Sequence, residues 1–149
     1  MKEAIQTRLY SNLSHPMSKY KEQIRTINID GIRYRWRNTH RHEFITTRGK
    51  WGCVDHFVAF REGTSGVAFR IRFTCGYASC PPGHIGLIIV PPRLWINLHL
   101  PRCAAALIRR ALELGWSSDA PMTVQDGDTF IANLPKSVLM HLAETPVQQ

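Results

Sequence analysis

The chain has 149 residues, 44% of them hydrophobic and 20% charged, which excludes the disordered, collagen-like and coiled-coil classes and predicts one domain that buries its own core. Lys and Arg number 19 against 11 Asp and Glu, a net charge of +8. Divided after Cys75, the first half holds 14 basic and 6 acidic side chains and the second 5 and 5, so the whole excess lies in residues 1–75. Such asymmetry marks a surface for an anionic partner and says nothing about fold.

Residues 1–23 read as a mobile leader or accessory helix ahead of a single α+β domain over 24–149. The opening MKEAIQTRLY lacks an apolar signal core, and the run Leu87–Val90, closed by Pro91-Pro92, is too short to span a bilayer. A cytoplasmic protein with free thiols at Cys53, Cys75, Cys80 and Cys103, and no membrane partner, is the expectation.

Residues 24–37 carry the clearest structural signal. Asp30-Gly31 between two β-rich runs predicts a two-residue hairpin. Its register sets Ile29 against Ile32, Ile27 against Tyr34 and Arg25 against Trp36. One face then collects Ile27, Ile29, Ile32, Tyr34 and Trp36; the other shows Arg33, Arg35 and Arg37. A slip of one residue would scramble both faces. Residues 38–42, NTHRH, read as a connector, followed by a short strand Glu43–Thr47 and a turn at Arg48-Gly49-Lys50.

A second hairpin is predicted from Cys53–Arg61 and Val67–Cys75 around a four-residue loop, Gly63 to Gly66. That loop pairs Phe60 with Phe69, Val58 with Ile71 and His56 with Phe73. It puts Val54, His56, Val58 and Phe60 on the apolar face and Phe57, Ala59, Arg61, Arg70 and Arg72 on the other. Residues 76–86 are a Gly/Pro-rich loop, and Leu87–Val90 and Leu94–Leu98 are candidate strands. Pro101 opens a helix to Leu114, with Gly115 as its stop and Trp116 as the anchoring contact. Thr129–Asn133 reads as a last strand, and Pro135 opens a short C-terminal helix to about Ala143. The fold class expected is α+β: two layers, an antiparallel sheet of four to six strands with the 101–114 helix on its apolar face.

Three constellations bear on function. If the hairpins share a sheet, Arg33, Arg35, Arg37, Arg61, Arg70 and Arg72 gather on the surface opposite the helix. Guanidinium forks suit carboxylates and phosphates, so the leading expectation is a non-enzymatic module that binds an acidic protein or nucleic acid. The competing view is an ordinary solvated sheet face covered by arginine stems. A zinc reading of Cys53-x2-His56 with Cys75-x4-Cys80-x3-His84 is disfavoured, because residues three apart on a strand point to opposite faces. No metal and no cofactor are therefore expected. The alternative function is a small-molecule or enzymatic pocket near His40, His42, Asp55 and His56, although no nucleophile elbow, metalloprotease helix or phosphate-binding loop accompanies them. A homodimer through Phe57 and Ala59, or through Leu87–Leu98, is a third expectation.

Ile29-Asp30-Gly31 with Tyr34-Arg35-Trp36, and later Leu107, Ala111 and Gly115-Trp116, resemble a pattern in small bacterial proteins, some carried on mobile gene cassettes. The likeness covers two structural stretches, a hairpin turn and a helix stop. It implies a bacterial accessory context and carries no functional residue with it.

Overall fold

Asp30 and Gly31 adopt φ of +52° and +81°, the paired positive values of the tight turn whose twist matches two antiparallel strands. This fixes the first ribbon. The computed structural model describes residues 23–64, 67–74, 86–90, 94–117, 119–120 and 122–144. Apart from Gln23, the expected leader lies outside these residues, as do Cys75 at the end of its predicted strand and Cys80 and His84 of the predicted loop.

The elements in chain order are β1 (Arg25–Ile29), β2 (Ile32–Ile45), β3 (Lys50–Arg61), β4 (Phe69–Thr74), β5 (Leu87–Val90), β6 (Leu94–Asn97), α1 (Pro101–Glu113), β7 (Gln125–Asp126), α2 (Gly127–Ala132), α3 (Lys136–Leu142) and β8 (Ala143–Glu144). The class is α+β, as expected. The strands form two sheets where one was predicted: five strands in the order β1-β2-β3-β4-β7, and three in the order β5-β6-β8. The β4–β7 pair is parallel. The predicted strand over Thr129–Asn133 is replaced by α2, because Asp126 caps a helix there: its carboxylate accepts from the Thr129 amide at 2.9 Å and the Thr129 hydroxyl at 2.8 Å.

The β1–β2 register is the predicted one, with Ile29 opposite Ile32, Ile27 opposite Tyr34 and Arg25 opposite Trp36. Beyond it, β2 runs unbroken through the NTHRH stretch that reads as a connector. Every residue from Tyr34 to Ile45 is paired with β3, so the backbone groups of this polar stretch are met by a partner strand rather than by water. The turn lies at Thr46–Gly49, with Gly49 at φ +63°.

The second hairpin is displaced by one residue from expectation. Ala59 faces Phe69, Phe57 faces Ile71 and Asp55 faces Phe73. Phe57 and Ala59 therefore turn into the core, both fully buried, while His56, Val58 and Phe60 share the opposite face with Arg70 and Arg72. The reason is packing against β2. Ala59 lies fully buried across from Trp36, and Phe57 stacks on the Trp36 ring at 5.9 Å. The burial also removes Phe57 and Ala59 from any dimer interface.

One core cluster joins Tyr34, Trp36, Phe57, Phe69 and Ile71 of the large sheet with Ile88 and Ile96 of the small one and Leu107, Ile108 and Ala111 of α1. Helix α1 ends where Gly115, at φ +102°, lets Trp116 N–H reach Ala111 O and Gly115 N–H reach Leu112 O, the two bonds of a Schellman stop. The Trp116 ring then packs on Tyr34 and Phe69. No helix among the described residues is long and apolar enough to cross a membrane.

Candidate functional site

Alternation along β2 and β3 sorts the polar residues onto two faces. The core-side face continues past Trp36 and Phe57 as Asn38, His40, His42 and Phe44, opposite Phe57, Asp55, Cys53 and Trp51. The reverse face carries Arg33, Arg35, Arg37, Thr39, Arg41, Glu43 and Ile45, with Val54, His56, Val58 and Phe60 of β3 and Arg70 and Arg72 of β4.

The reverse face is the predicted arginine surface, with changed membership. Arg61 pairs with Tyr34 and so stands on the other side, a consequence of the displaced register. Arg33 Nε lies 3.1 Å from Glu62 Oε2. Arg72 holds Glu43 Oε2 through two bonds, 2.9 Å from Nη2 and 3.2 Å from Nε. His56 Nε2 donates to the other oxygen of Glu43 at 2.6 Å. The hydrogen bond from His56, with the bonds and charge of Arg72, holds the Glu43 carboxyl below its usual range. Among the described residues, Arg33 and Arg72 are thus engaged by carboxylates of the same molecule, and Arg37 has a partner as well. Arg35 packs its guanidinium 5.5 Å from the Phe60 ring centroid, and Arg70 is exposed. Between them Val58, flanked in register by Arg37 and Arg70, is only 6% exposed.

The core-side face holds the second constellation. Asp55 is 1% exposed. Its Oδ1 accepts from Asn38 Nδ2 and from His40 Nδ1, each at 3.2 Å. Next to this pair His42 Nε2 lies 3.5 Å from Cys53 Sγ, and the His40 and His42 rings meet edge to face at 5.7 Å. Burial, with the nearby Asp55 carboxylate, pushes the Cys53 thiol above its ordinary value. The predicted pocket of His40, His42, Asp55 and His56 is therefore divided. Asp55 and His56 are consecutive on a strand and point to opposite faces, so His56 joins Glu43 and Arg72. Cys53 and His56 diverge as the three-residue spacing requires. The contact that spacing arguments missed is the cross-strand one between His42 and Cys53, which needs the β2–β3 register.

A groove of about 540 Å³ elsewhere is lined by Arg110, Leu114, Gln125, Asp126 and Phe130 among others, and shares no residue with either constellation. Compared with protein-family models, with curated proteins and with solved structures, the chain matches none.

Proposed function

We propose that this chain is a non-enzymatic interaction module that docks an acidic protein on the arginine-bearing face of its large sheet. The observation that carries the reading is the placement of Arg35 and Arg70 on one face of the large sheet, on the two strands that flank β3, beside the buried Val58. Neighbouring strands lie about 4.8 Å apart, so Arg35 on β2 and Arg70 on β4 are separated by roughly 10 Å across the sheet. Guanidinium groups at that spacing meet carboxylates on a facing helix or loop through bidentate bonds.

Two features favour a protein over nucleic acid. The patch is small beside the footprint of a phosphate backbone contacted many times. It is also bounded by two ion pairs, Glu62 with Arg33 and Glu43 with Arg72, which take those guanidinium groups out of any continuous cationic track of the kind a polyanion needs.

The test titrates the chain against a labelled Glu/Asp-rich peptide and, separately, a single-stranded oligonucleotide at several salt concentrations. The combined change Arg35→Glu and Arg70→Glu, at exposed or half-exposed positions, is expected to lower peptide affinity at least about tenfold, the equivalent of 1.4 kcal/mol. Unchanged peptide binding removes the proposal. Tighter oligonucleotide binding with a steep salt slope transfers it to nucleic acid.

A further inference from the structure

The His40–His42–Cys53 group serves none of the docking described above, and its geometry asks for a separate account. The three side chains arise from two strand rules. Residues i and i+2 share a face, which brings His40 and His42 together, and Cys53 is the register partner of His42. One donor atom from each lies within 4.8 Å of the others. The His42 Nε2 to Cys53 Sγ distance is 3.5 Å. Metal–nitrogen and metal–sulfur bonds of about 2.1 and 2.3 Å at a tetrahedral angle would separate the same two atoms by about 3.6 Å.

A second observation points the same way. Asp55 is a carboxyl group buried to 1% exposure, and its partners in reach are the Asn38 amide and His40. A buried carboxylate is costly unless a positive charge faces it. A neutral His40 that donates from Nδ1 to this carboxylate keeps Nε2 as a bare acceptor. That arrangement of carboxylate, histidine and bare ring nitrogen orients imidazole ligands on metal ions and strengthens them as donors. Asn38, which also holds Asp55, stands close to Gly86: a Cβ there would lie 3.1 Å from Asn38 Nδ2.

We infer that His40, His42 and Cys53 form a binding site for one divalent transition-metal ion of the zinc class, with Asp55 as the positioning residue behind His40. Imidazole and thiolate together are the donor set that selects zinc and cobalt over calcium or magnesium. Binding replaces the Cys53 S–H bond with a metal–sulfur bond and releases that proton to solvent, while both imidazoles bind neutral. The exposed side of His42 keeps the ion open to water or a small ligand.

The experiment uses the full chain, reduced and stripped of metal with a chelator, and cobalt(II) as the probe. The expected result is one cobalt per chain with a dissociation constant of about 1 µM or tighter, a thiolate-to-cobalt charge-transfer band, the intense visible bands of four-coordinate cobalt, and their loss when zinc is added. His42→Ala and Cys53→Ser should each weaken binding by more than about 100-fold, beyond the 10–100-fold that loss of an outer partner costs. Asp55→Asn should fall within that smaller range and leave the cobalt band positions in place, which mere misfolding would not do. His42 is exposed, so His42→Ala keeps its circular dichroism and decides the matter if another variant unfolds. Failure to bind cobalt, or a charge-transfer band that survives Cys53→Ser, overturns the assignment and leaves the group as a hydrogen-bonded polar patch.

Discussion

Phe57 and Phe60 are three residues apart on the same strand, and their contrast measures the register of β3. Phe57 is fully buried against Trp36 and Phe69, whereas Phe60 is half-buried beneath Arg35. Phe57→Ala should cost about 3–5 kcal/mol of unfolding free energy, the usual range for a large aromatic removed from a core. Phe60→Ala should cost about 1 kcal/mol, from partial burial and a cation–π contact. Denaturant unfolding of the two variants checks this, and the reverse ranking would restore the pairing expected from the sequence. A second residue-scale prediction concerns Cys103. It is 1% exposed in the core, and burial pushes its thiol to about 12. Both access and thiolate content oppose alkylation. Iodoacetamide followed by peptide mass spectrometry should leave Cys103 unlabelled in the native chain at neutral pH and label it in denaturant. Native labelling would mean that the α1 side of the core opens readily.

At the scale of elements, legibility tracked how many faces of a strand are apolar. The Asp30-Gly31 ribbon was readable because one face is oily and the other is arginine, so only one register fits. Strand β3 is central, and Val54, Phe57, Val58 and Ala59 are all buried. With apolar residues on both faces, parity could not be told from composition, and the side-chain set moved with it. The NTHRH stretch failed for the opposite reason: polar residues fall on both faces of β2, so no hydrophobic alternation marks it as a strand. That stretch holds His40 and His42, and a local rule broken there is where a site is to be expected. Helix α1 was legible because its stop is chemical. Gly115 sits at φ +102°, where an alanine Cβ is strained, so Gly115→Ala should destabilise the protein by about 1–2 kcal/mol. Thermal unfolding reads this. No loss would mean that the Trp116 anchor holds without the left-handed residue.

At the scale of the molecule, the two constellations differ in how far neighbouring strands support them, and this predicts a difference in local stability. Strand β1 pairs with β2 only as far as Trp36, and β4 pairs with β3 only from Val54 to Ala59. Among the described residues, His42–Ile45 and Lys50–Cys53 are therefore paired with each other alone. The tip carries an exposed aromatic pair, Phe44 at 48% and Trp51 at 69%, on one side and Ile45 folded over Gly52 on the other. A two-stranded ribbon is marginal in water without further support, so this segment belongs to the low-stability end of the fold. The arginine patch around Val58, by contrast, lies where β3 has neighbours on both sides. Native-state hydrogen exchange should show amides of residues 42–53 exchanging well ahead of those of residues 54–60. Addition of zinc should slow the first group and leave the second unchanged, because His42 and Cys53 lie on opposite strands and a shared ion would tie them. Equal protection of both groups in the metal-free chain would show that the ribbon is held by contacts beyond its own pairing, and the ion would then have no loose element to fasten.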